Sequence, residues 1–180
     1  MKYNFSNVDF SRVCVIGSPG SGKSTLSKVL AEKLNLPLTH LDAVLWQPNW
    51  VLPSAEQRKQ IHDDIISQPM WLIDGMWRSL VADRFSRATV VIYLDYNRFL
   101  CLNRAYKRYK KGDHSRSDIA QGCIEKFDSE FFNFIFTFPN RMRPKLYKLE
   151  KQNSQITYLN LRSPKQTQDF LSQLTDYLSK

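Results

Sequence analysis

The sequence feature that most restricts the fold is a glycine-rich segment, Gly17-Ser18-Pro19-Gly20-Ser21-Gly22-Lys23-Ser24-Thr25, which matches the pattern G-x-x-x-x-G-K-[ST]. It follows a short apolar run, residues 12–16, that is typical of a buried strand, and apolar residues at helical spacing come after it. Glycines let backbone N–H groups turn towards a phosphate, and the N-terminus of the next helix adds partial positive charge. The segment therefore predicts a phosphate-binding loop (P-loop), and all nine residues are expected to bind ATP.

Two side chains of this loop have specific predicted roles. Lys23 is expected to bridge β- and γ-phosphate oxygens, and the Ser24 hydroxyl is expected to ligate Mg²⁺. The sequence has no N-K-x-D guanine-reading motif, and its 180 residues are too few for a helicase or motor core. A small kinase that uses ATP and Mg²⁺ fits the length.

The remaining pattern predicts one domain, residues 1–180, without a Gly/Ser/Pro-rich linker. Four more strands are expected at residues 36–41, 70–73, 89–94 and 155–161, alternating with helices, which indicates a parallel sheet covered on both faces. Two helical stretches are expected within residues 118–150, forming a hairpin with a phenylalanine-rich core. Its aromatic residues are Phe127, Phe131, Phe132, Phe134, Phe136 and Phe138.

Carboxylates follow two of the predicted strands. Ligands of α/β folds bind at the carboxyl edge of the sheet, where the P-loop also opens. Asp74, after the third strand, is therefore predicted to hold Mg²⁺ or its water. Asp42 ends the second predicted strand and is expected to orient an acceptor hydroxyl or accept its proton. A cap or turn role for Asp42 is the alternative.

All four tryptophans fall within residues 46–77. Trp71 lies in a predicted strand and is expected in the core. Trp46 and Trp50 flank Pro48 after Asp42, and Trp77 follows Asp74. These three could stack on a planar acceptor or simply close an insert over the sheet, and the sequence does not choose between these alternatives.

Positive charge is concentrated in the second half of a chain whose 26 Lys and Arg exceed its 17 Asp and Glu, a net charge of +9. Such a concentration favours an anionic partner, either nucleic acid or the phosphates of a small ligand. Arg104 and Arg108 share one helix face, and Arg116 lies beyond Gly112. These three arginines are predicted to be catalytic by stabilising the transferring phosphoryl group. A solvated basic helix is the alternative.

The segment from Asp74 to Arg78, D-G-M-W-R, resembles the D-G-F-P-R segment of adenylate kinases, with Trp77 in place of proline. The wider pattern, over about residues 12–172, resembles the adenylate-kinase-related "DNA topology modulation protein" family. The segments that carry this resemblance are His40-Leu41-Asp42-Ala43, Trp46-x-Pro48-x-Trp50, Trp71-Leu72-Ile73-Asp74-Gly75, Cys101-Leu102-x-x-Arg104 and Arg143-Pro144-Lys145.

The resemblance implies a three-layer P-loop NTPase fold like that of nucleoside monophosphate kinases, with sheet order 2-3-1-4-5 and with ATP and Mg²⁺ as cofactors. It also implies an acceptor-side insert at about 43–69 and a short lid at about 109–122, which lacks the G-R-R pattern of long lids. The residues expected to bind the acceptor are Asp42, Trp46, Trp77 and Arg78. Whether Arg141 and Arg143 join the site is left open.

Other features exclude classes of protein. Three widely spaced cysteines indicate reduced thiols, neither a disulfide framework nor a metal site, and so a cytoplasmic protein. No apolar run approaches the ~18 residues of a membrane span, and the N-terminus does not resemble a secretory signal. The histidines, His40, His62 and His114, have no partners at metal-ligand spacing, so no metal binding is expected of them.

The sequence thus predicts a kinase that transfers a phosphoryl group from Mg·ATP to a small acceptor, acting as a monomer or weak dimer. A nucleoside monophosphate or similar metabolite is the first candidate acceptor, and a hydroxyl-bearing small molecule is the second. The alternative function is that of an ATP-binding regulatory protein whose basic face binds nucleic acid.

Overall fold

The computed structural model describes residues 2–112, 116–123 and 128–179, and it contains one sheet of five parallel strands. The strands follow the spatial order β2-β3-β1-β4-β5, and this confirms the predicted α/β fold and strand order. Their bounds are β1 Arg12–Gly17, β2 Leu38–His40, β3 Trp71–Asp74, β4 Val90–Leu94 and β5 Thr157–Leu161.

Helices cover both faces of the sheet. Their bounds are α1 Lys23–Leu34, α2 Leu41–Val44, α3 Ala55–Ile66, α4 Val81–Arg87, α5 Arg98–Lys111, α6 Ser129–Gln152 and α7 Pro164–Leu178, with a short 3-10 turn at Pro48–Trp50. Helices α1, α5 and α7 pack into one hydrophobic cluster, whereas α3, α4 and most of α6 pack into a second. The sheet lies between these clusters, so the molecule has three layers.

The central strand β1 shows why the sheet is buried on both faces. Val13 and Val15 pack into the first cluster, and Cys14 and Ile16 pack into the second, because side chains alternate along a strand. All four side chains are 0% exposed. Hydrogen bonds to β3 and β4 on either side fix this strand, and therefore fix the loop that leaves its carboxyl end.

Two helices begin with serine side-chain caps. Ser54 caps α3 and accepts a hydrogen bond from the Gln57 backbone N–H, while the Gln57 side chain accepts one from the Ser54 N–H. Ser163 caps α7 by accepting a hydrogen bond from the Gln166 backbone N–H, and the Gln166 side chain accepts one from the Arg162 N–H, with Pro164 as the first helical residue. Such caps satisfy N–H groups that have no partner within the helix.

The prediction of two helices within residues 118–150 is wrong. One continuous helix, α6, runs from Ser129 to Gln152 and contains both Pro139 and Pro144. Helix interiors normally exclude proline, but here the buried face of α6, which includes Phe138 and Met142, packs against the second cluster on both sides of Pro139. The five phenylalanines of the prediction that the structure describes, Phe131, Phe132, Phe134, Phe136 and Phe138, therefore lie on one helix and not in a hairpin, and Phe136 is 42% exposed.

Some expectations concern residues outside the described ranges. His114 and Phe127 both lie there, as does part of the predicted lid, residues 113–115. The cysteines Cys14, Cys101 and Cys123 are buried free thiols. Among the described helices, none combines the length and apolar character that a membrane span requires.

Candidate active site

The P-loop joins the buried end of β1 to α1 and is shaped by its glycines. Gly20 has a φ of 80°, and a Cβ atom there would lie 2.3 Å from the Cys101 carbonyl oxygen, so no larger residue fits. The Ser21 N–H donates to the Ser18 carbonyl at 3.1 Å, which closes the turn. Helix α1 then begins at Lys23 with its N-terminus at the loop, where an anion is stabilised.

Lys23 lies between the loop and two carboxylates. Its Nζ atom donates to the Ser18 carbonyl oxygen at 3.1 Å. Burial lowers the pKa of Lys23, while the nearby Asp42 and Asp74 act in the opposite direction. The side chain therefore places a desolvated positive charge at the mouth of the loop, where it would interact strongly with phosphate oxygens.

Ser24 is bonded to a residue that the sequence did not indicate. Its hydroxyl donates to Asp118 Oδ2 at 2.5 Å, and Arg116 holds both oxygens of the same carboxylate, at 2.9 and 2.8 Å. Burial alone would raise the pKa of Asp118, but the hydrogen bonds from Arg116 and Ser24 outweigh it and hold that pKa well below its usual range. Asp118 thus remains a carboxylate beside the P-loop.

Asp74 lies at the end of β3, 4% exposed, and is held by His40. The Nδ1 atom of His40, the last residue of β2, lies 2.9 Å from both Asp74 oxygens, so it donates to a carboxylate that only accepts. The backbone register aligns His40 with Asp74 on neighbouring strands. This pairing of adjacent strand ends orients Asp74 towards the P-loop cavity.

The expectation that Asp42 ends a strand is wrong. Strand β2 stops at His40, and Asp42 is the second residue of the short helix α2, which begins where Leu41 enters the core. The Trp77 indole N–H donates to Asp42 Oδ1 at 2.8 Å. Burial raises the pKa of Asp42, although Lys23 and the Trp77 hydrogen bond act against this rise. The carboxylate is consequently a stronger proton acceptor than an exposed aspartate.

Three of the four tryptophans form one aromatic cluster next to Asp42. The Trp46 ring contacts Trp50 and Trp77, with centroids 5.5 and 5.6 Å apart. Trp50 lines the P-loop cavity, whereas Trp46 and Trp77 are not among the residues that line it. The fourth, Trp71, is 2% exposed in the core, as predicted.

Two of the predicted arginines come from α5. Arg104 donates to the Ser21 carbonyl of the P-loop at 3.3 Å, and its guanidinium lies 5.7 Å from the centre of the Tyr96 ring. Arg108, one turn later, lines the same cavity, as does Arg116 on the segment that holds Asp118. The three arginines therefore meet beside the P-loop from two separate segments.

These groups surround one cavity of about 840 Å³. Lys23, Ser24, Asp42 and Asp74 line it, and the part of the cavity around them is called the phosphate end. Apolar and planar groups that would suit a base also line the cavity, and they include Leu94, Tyr96, Phe131, Pro164 and Leu171.

The remaining predicted residues lie elsewhere. Arg78 is exposed and does not line the cavity, and its carbonyl accepts a hydrogen bond from Lys145. Arg143 pairs with Asp95 at 2.9 Å and lines a separate cavity of about 700 Å³ between α6 and the ends of β4 and β5. Arg141 is exposed and is not among the residues that line the P-loop cavity.

A divalent cation fits the oxygen donors at the phosphate end. Mg²⁺ prefers hydroxyl, carboxylate and phosphate oxygens, and Ser24, Asp74 and Asp118 offer such atoms on the side of the cavity where phosphates would lie. Sequence reasoning found the first two. It missed Asp118 because 94 residues separate it from Ser24, and no motif marks it.

No family model and no curated protein sequence matches this chain. Solved structures do. A shikimate kinase from Acinetobacter baumannii in complex with shikimate has a TM-score of 0.59 at 14% identity, with 97% of this chain and 95% of that chain covered. A shikimate kinase from Bacteroides thetaiotaomicron has a TM-score of 0.55 at 17% identity, covering 94% and 98%.

A gluconokinase from Sinorhizobium meliloti 1021 is similar over 94% of this chain and 95% of its own, with a TM-score of 0.53 at 14% identity. At sequence identities this low, the structural matches establish similarity of fold alone. Together with the parallel sheet and the P-loop geometry, they show that this chain has the α/β fold of small P-loop kinases of the shikimate kinase type.

Proposed function

We propose that this protein is a kinase that transfers the γ-phosphoryl group of Mg·ATP to a hydroxyl of a small molecule. The observation that carries the proposal is the convergence of Lys23 of the P-loop and the carboxylate of Asp42 on one cavity. The first is suited to the phosphates of the donor and the second to a hydroxyl proton of the acceptor.

The donor half uses groups fixed by the backbone. The P-loop N–H groups and Lys23 would hold the β- and γ-phosphates, and Ser24 and Asp74 would hold the cation, with Asp118 nearby. Mg²⁺ bound there neutralises charge on the phosphate oxygens. Arg104 and Arg108 also line the cavity beside the P-loop and add positive charge, which would stabilise the negative charge that develops during transfer.

The acceptor half centres on Asp42. A hydroxyl oxygen of the acceptor forms the new bond to the γ-phosphorus, the bond from that phosphorus to the ADP oxygen breaks, and the hydroxyl proton passes to Asp42. The Trp77 indole N–H, 2.8 Å from Asp42 Oδ1, fixes the orientation of the Asp42 carboxylate. Burial raises the pKa of Asp42, so this carboxylate is suited to receive a proton.

This arrangement favours a hydroxyl acceptor over a nucleoside monophosphate. An acceptor phosphate would bring negative charge next to Asp42 and Asp74, which repel it. The solved structures of similar fold include a shikimate kinase in complex with shikimate and a gluconokinase. A relationship to adenylate kinases or to the topology modulation family is supported only by the resemblance of sequence segments.

The test is a phosphoryl-transfer screen of the purified full chain with labelled ATP and Mg²⁺. The acceptor panel contains polyols, hydroxy acids, nucleosides and nucleoside monophosphates. Acceptor-dependent ADP release with a polyol or hydroxy acid supports the proposal, provided that Asp42→Asn removes it. Transfer to nucleoside monophosphates alone would overturn the hydroxyl assignment.

A separate arm addresses nucleic-acid binding through the basic face. A duplex binder that neutralises several phosphates loses roughly 10³-fold in affinity between low and moderate salt. Because Arg104 and Arg108 face the cavity, we expect their positive charge to serve bound phosphates instead. Tight, steeply salt-dependent duplex binding without acceptor-dependent transfer would favour the regulatory alternative.

A further inference from the structure

A second cluster of titratable side chains lies away from the P-loop, where α3 meets α4. His62 and Asp63 come from α3, and Asp83 comes from the first turn of α4. One ligand atom of each, an imidazole nitrogen and two carboxylate oxygens, lies within 4.8 Å of the others. Chain spacing did not indicate this cluster because Asp83 is on a different helix.

His62 is the unusual member of this cluster. Its side chain is 0% exposed, yet neither ring nitrogen has a hydrogen-bond partner among the described residues. The nearest acceptor to Nδ1 is Asp63 Oδ1 at 3.6 Å, which is too long for a hydrogen bond. Buried polar groups almost always have partners, so this imidazole, directed at two carboxylates, requires an explanation.

One distance within the cluster is close to the separation of two ligand atoms on a metal ion. In a tetrahedral site with bonds of about 2.1 Å, ligand atoms are roughly 3.4 Å apart. The 3.6 Å between His62 Nδ1 and Asp63 Oδ1 is close to that value.

A positive charge already lies between the two carboxylates. Lys59 Nζ is 2.7 Å from Asp63 Oδ2 and 3.8 Å from Asp83 Oδ2. The lysine side chain is 58% exposed, so it can move into solvent at small cost. The other nearby cation, Arg84, is fully buried and donates to the carbonyls of Gly75 and Met76.

We propose that His62, Asp63 and Asp83 bind a divalent transition-metal ion such as Zn²⁺, which displaces the Lys59 ammonium and links α3 to α4. One imidazole nitrogen and two carboxylate oxygens suit Zn²⁺, and three protein ligands leave a position for water. Mg²⁺ is disfavoured because it prefers oxygen ligands and retains its own waters. The site is structural and separate from the cation site beside the P-loop.

The experiment titrates the chelator-treated full chain with Zn²⁺, without nucleotide, and follows binding by calorimetry and thermal unfolding. Asp83→Asn should weaken Zn²⁺ binding by about 10-fold or more and should remove the rise in Tm, since it removes one of three ligands. Lys59→Met should tighten binding, because it removes the competing charge. The matched control is Asp64→Asn, an exposed aspartate on the same helix whose side chain accepts from Gln60, and it should match the wild type.

Binding beside the P-loop is separated by Asp74→Asn, which should retain this Zn²⁺ site. The proposal is overturned if the wild type binds no Zn²⁺, if Asp83→Asn and wild type bind it equally, or if Lys59→Met binds it more weakly. Loss of Zn²⁺ binding in Asp74→Asn would assign the ion to the P-loop cavity and overturn the proposal as well. Lys59 is exposed, so its variant tests the site even if Asp83→Asn folds poorly.

Discussion

The proposed donor and acceptor sides of the cavity are built in different ways. On the donor side, the P-loop follows a fully buried strand, and its shape is set by backbone conformation at glycines such as Gly20. On the acceptor side, Asp42 is placed by a side-chain bond from Trp77, which is 35 residues away.

The acceptor side also contains the less favourable backbone. Trp50 and Trp77 have positive φ angles of 59° and 30°, a conformation that is costly for large residues and is concentrated at functional sites. The loop on the proposed donor side is therefore encoded locally, whereas the side chains of Ser24, Asp74 and Asp42 are all bonded to partners that are distant in the sequence.

The largest expected effect concerns the donor side. Lys23→Ala removes the positive charge that is proposed to bind the β- and γ-phosphates. Turnover should therefore fall by roughly 10³-fold or more while the fold survives. Steady-state kinetics and a thermal melt measure the two quantities. Lys33→Ala, an exposed lysine in the last turn of the same helix, is the control and should be active. Full activity in Lys23→Ala would contradict the P-loop assignment.

The acceptor side is tested next with Asp42→Asn, which keeps the shape of the side chain and removes the proton acceptor. Transfer should fall by about 10²-fold or more, with ATP affinity near wild type. Because burial raises the pKa of Asp42, wild-type activity should decline as the pH falls through a value above the usual range for aspartate. Asp42→Asn should lack this decline. Loss of ATP binding would instead place Asp42 on the donor side.

An intermediate effect on kcat is expected for Arg108, which lines the cavity from α5. Arg108→Ala should lower kcat by on the order of 10²-fold and change ATP affinity much less, since the benefit is greatest in the transition state. Lys111→Ala, three residues later and exposed, removes the same charge and should have little effect. Equal activity of the two variants would return α5 to the alternative of a solvated basic helix.

The smallest effect, and the sharpest probe of the acceptor side, is expected for Trp77→Phe. The change removes the N–H that donates to Asp42 and should lower kcat by about 10-fold or less. That hydrogen bond lowers the pKa of Asp42, so its loss should move the acidic limb of the pH–rate profile to higher pH. An unchanged limb would mean that Trp77 only fills space.

The contrast between local sequence patterns and long-range contacts explains which features could be predicted from the sequence. The P-loop and the alternation of strands and helices are local patterns, and both could be predicted from the sequence. The contacts of Ser24 with Asp118 and of His40 with Asp74 join residues 94 and 34 positions apart, and no spacing rule reveals such pairs. Helix α6 could not be anticipated because two prolines normally signal helix ends, whereas here burial of one face maintains the helix.

The grouping of three tryptophans around Asp42 provides an optical reporter. Trp46 contacts both Trp50 and Trp77 beside the proposed acceptor position, while Trp71 is buried in the core and should contribute a constant background. An acceptor hydroxyl that pairs with Asp42 competes with the Trp77 indole N–H, so the intrinsic fluorescence of the unlabelled protein should respond to it. Candidate acceptors can therefore be ranked by emission alone, before any turnover is measured.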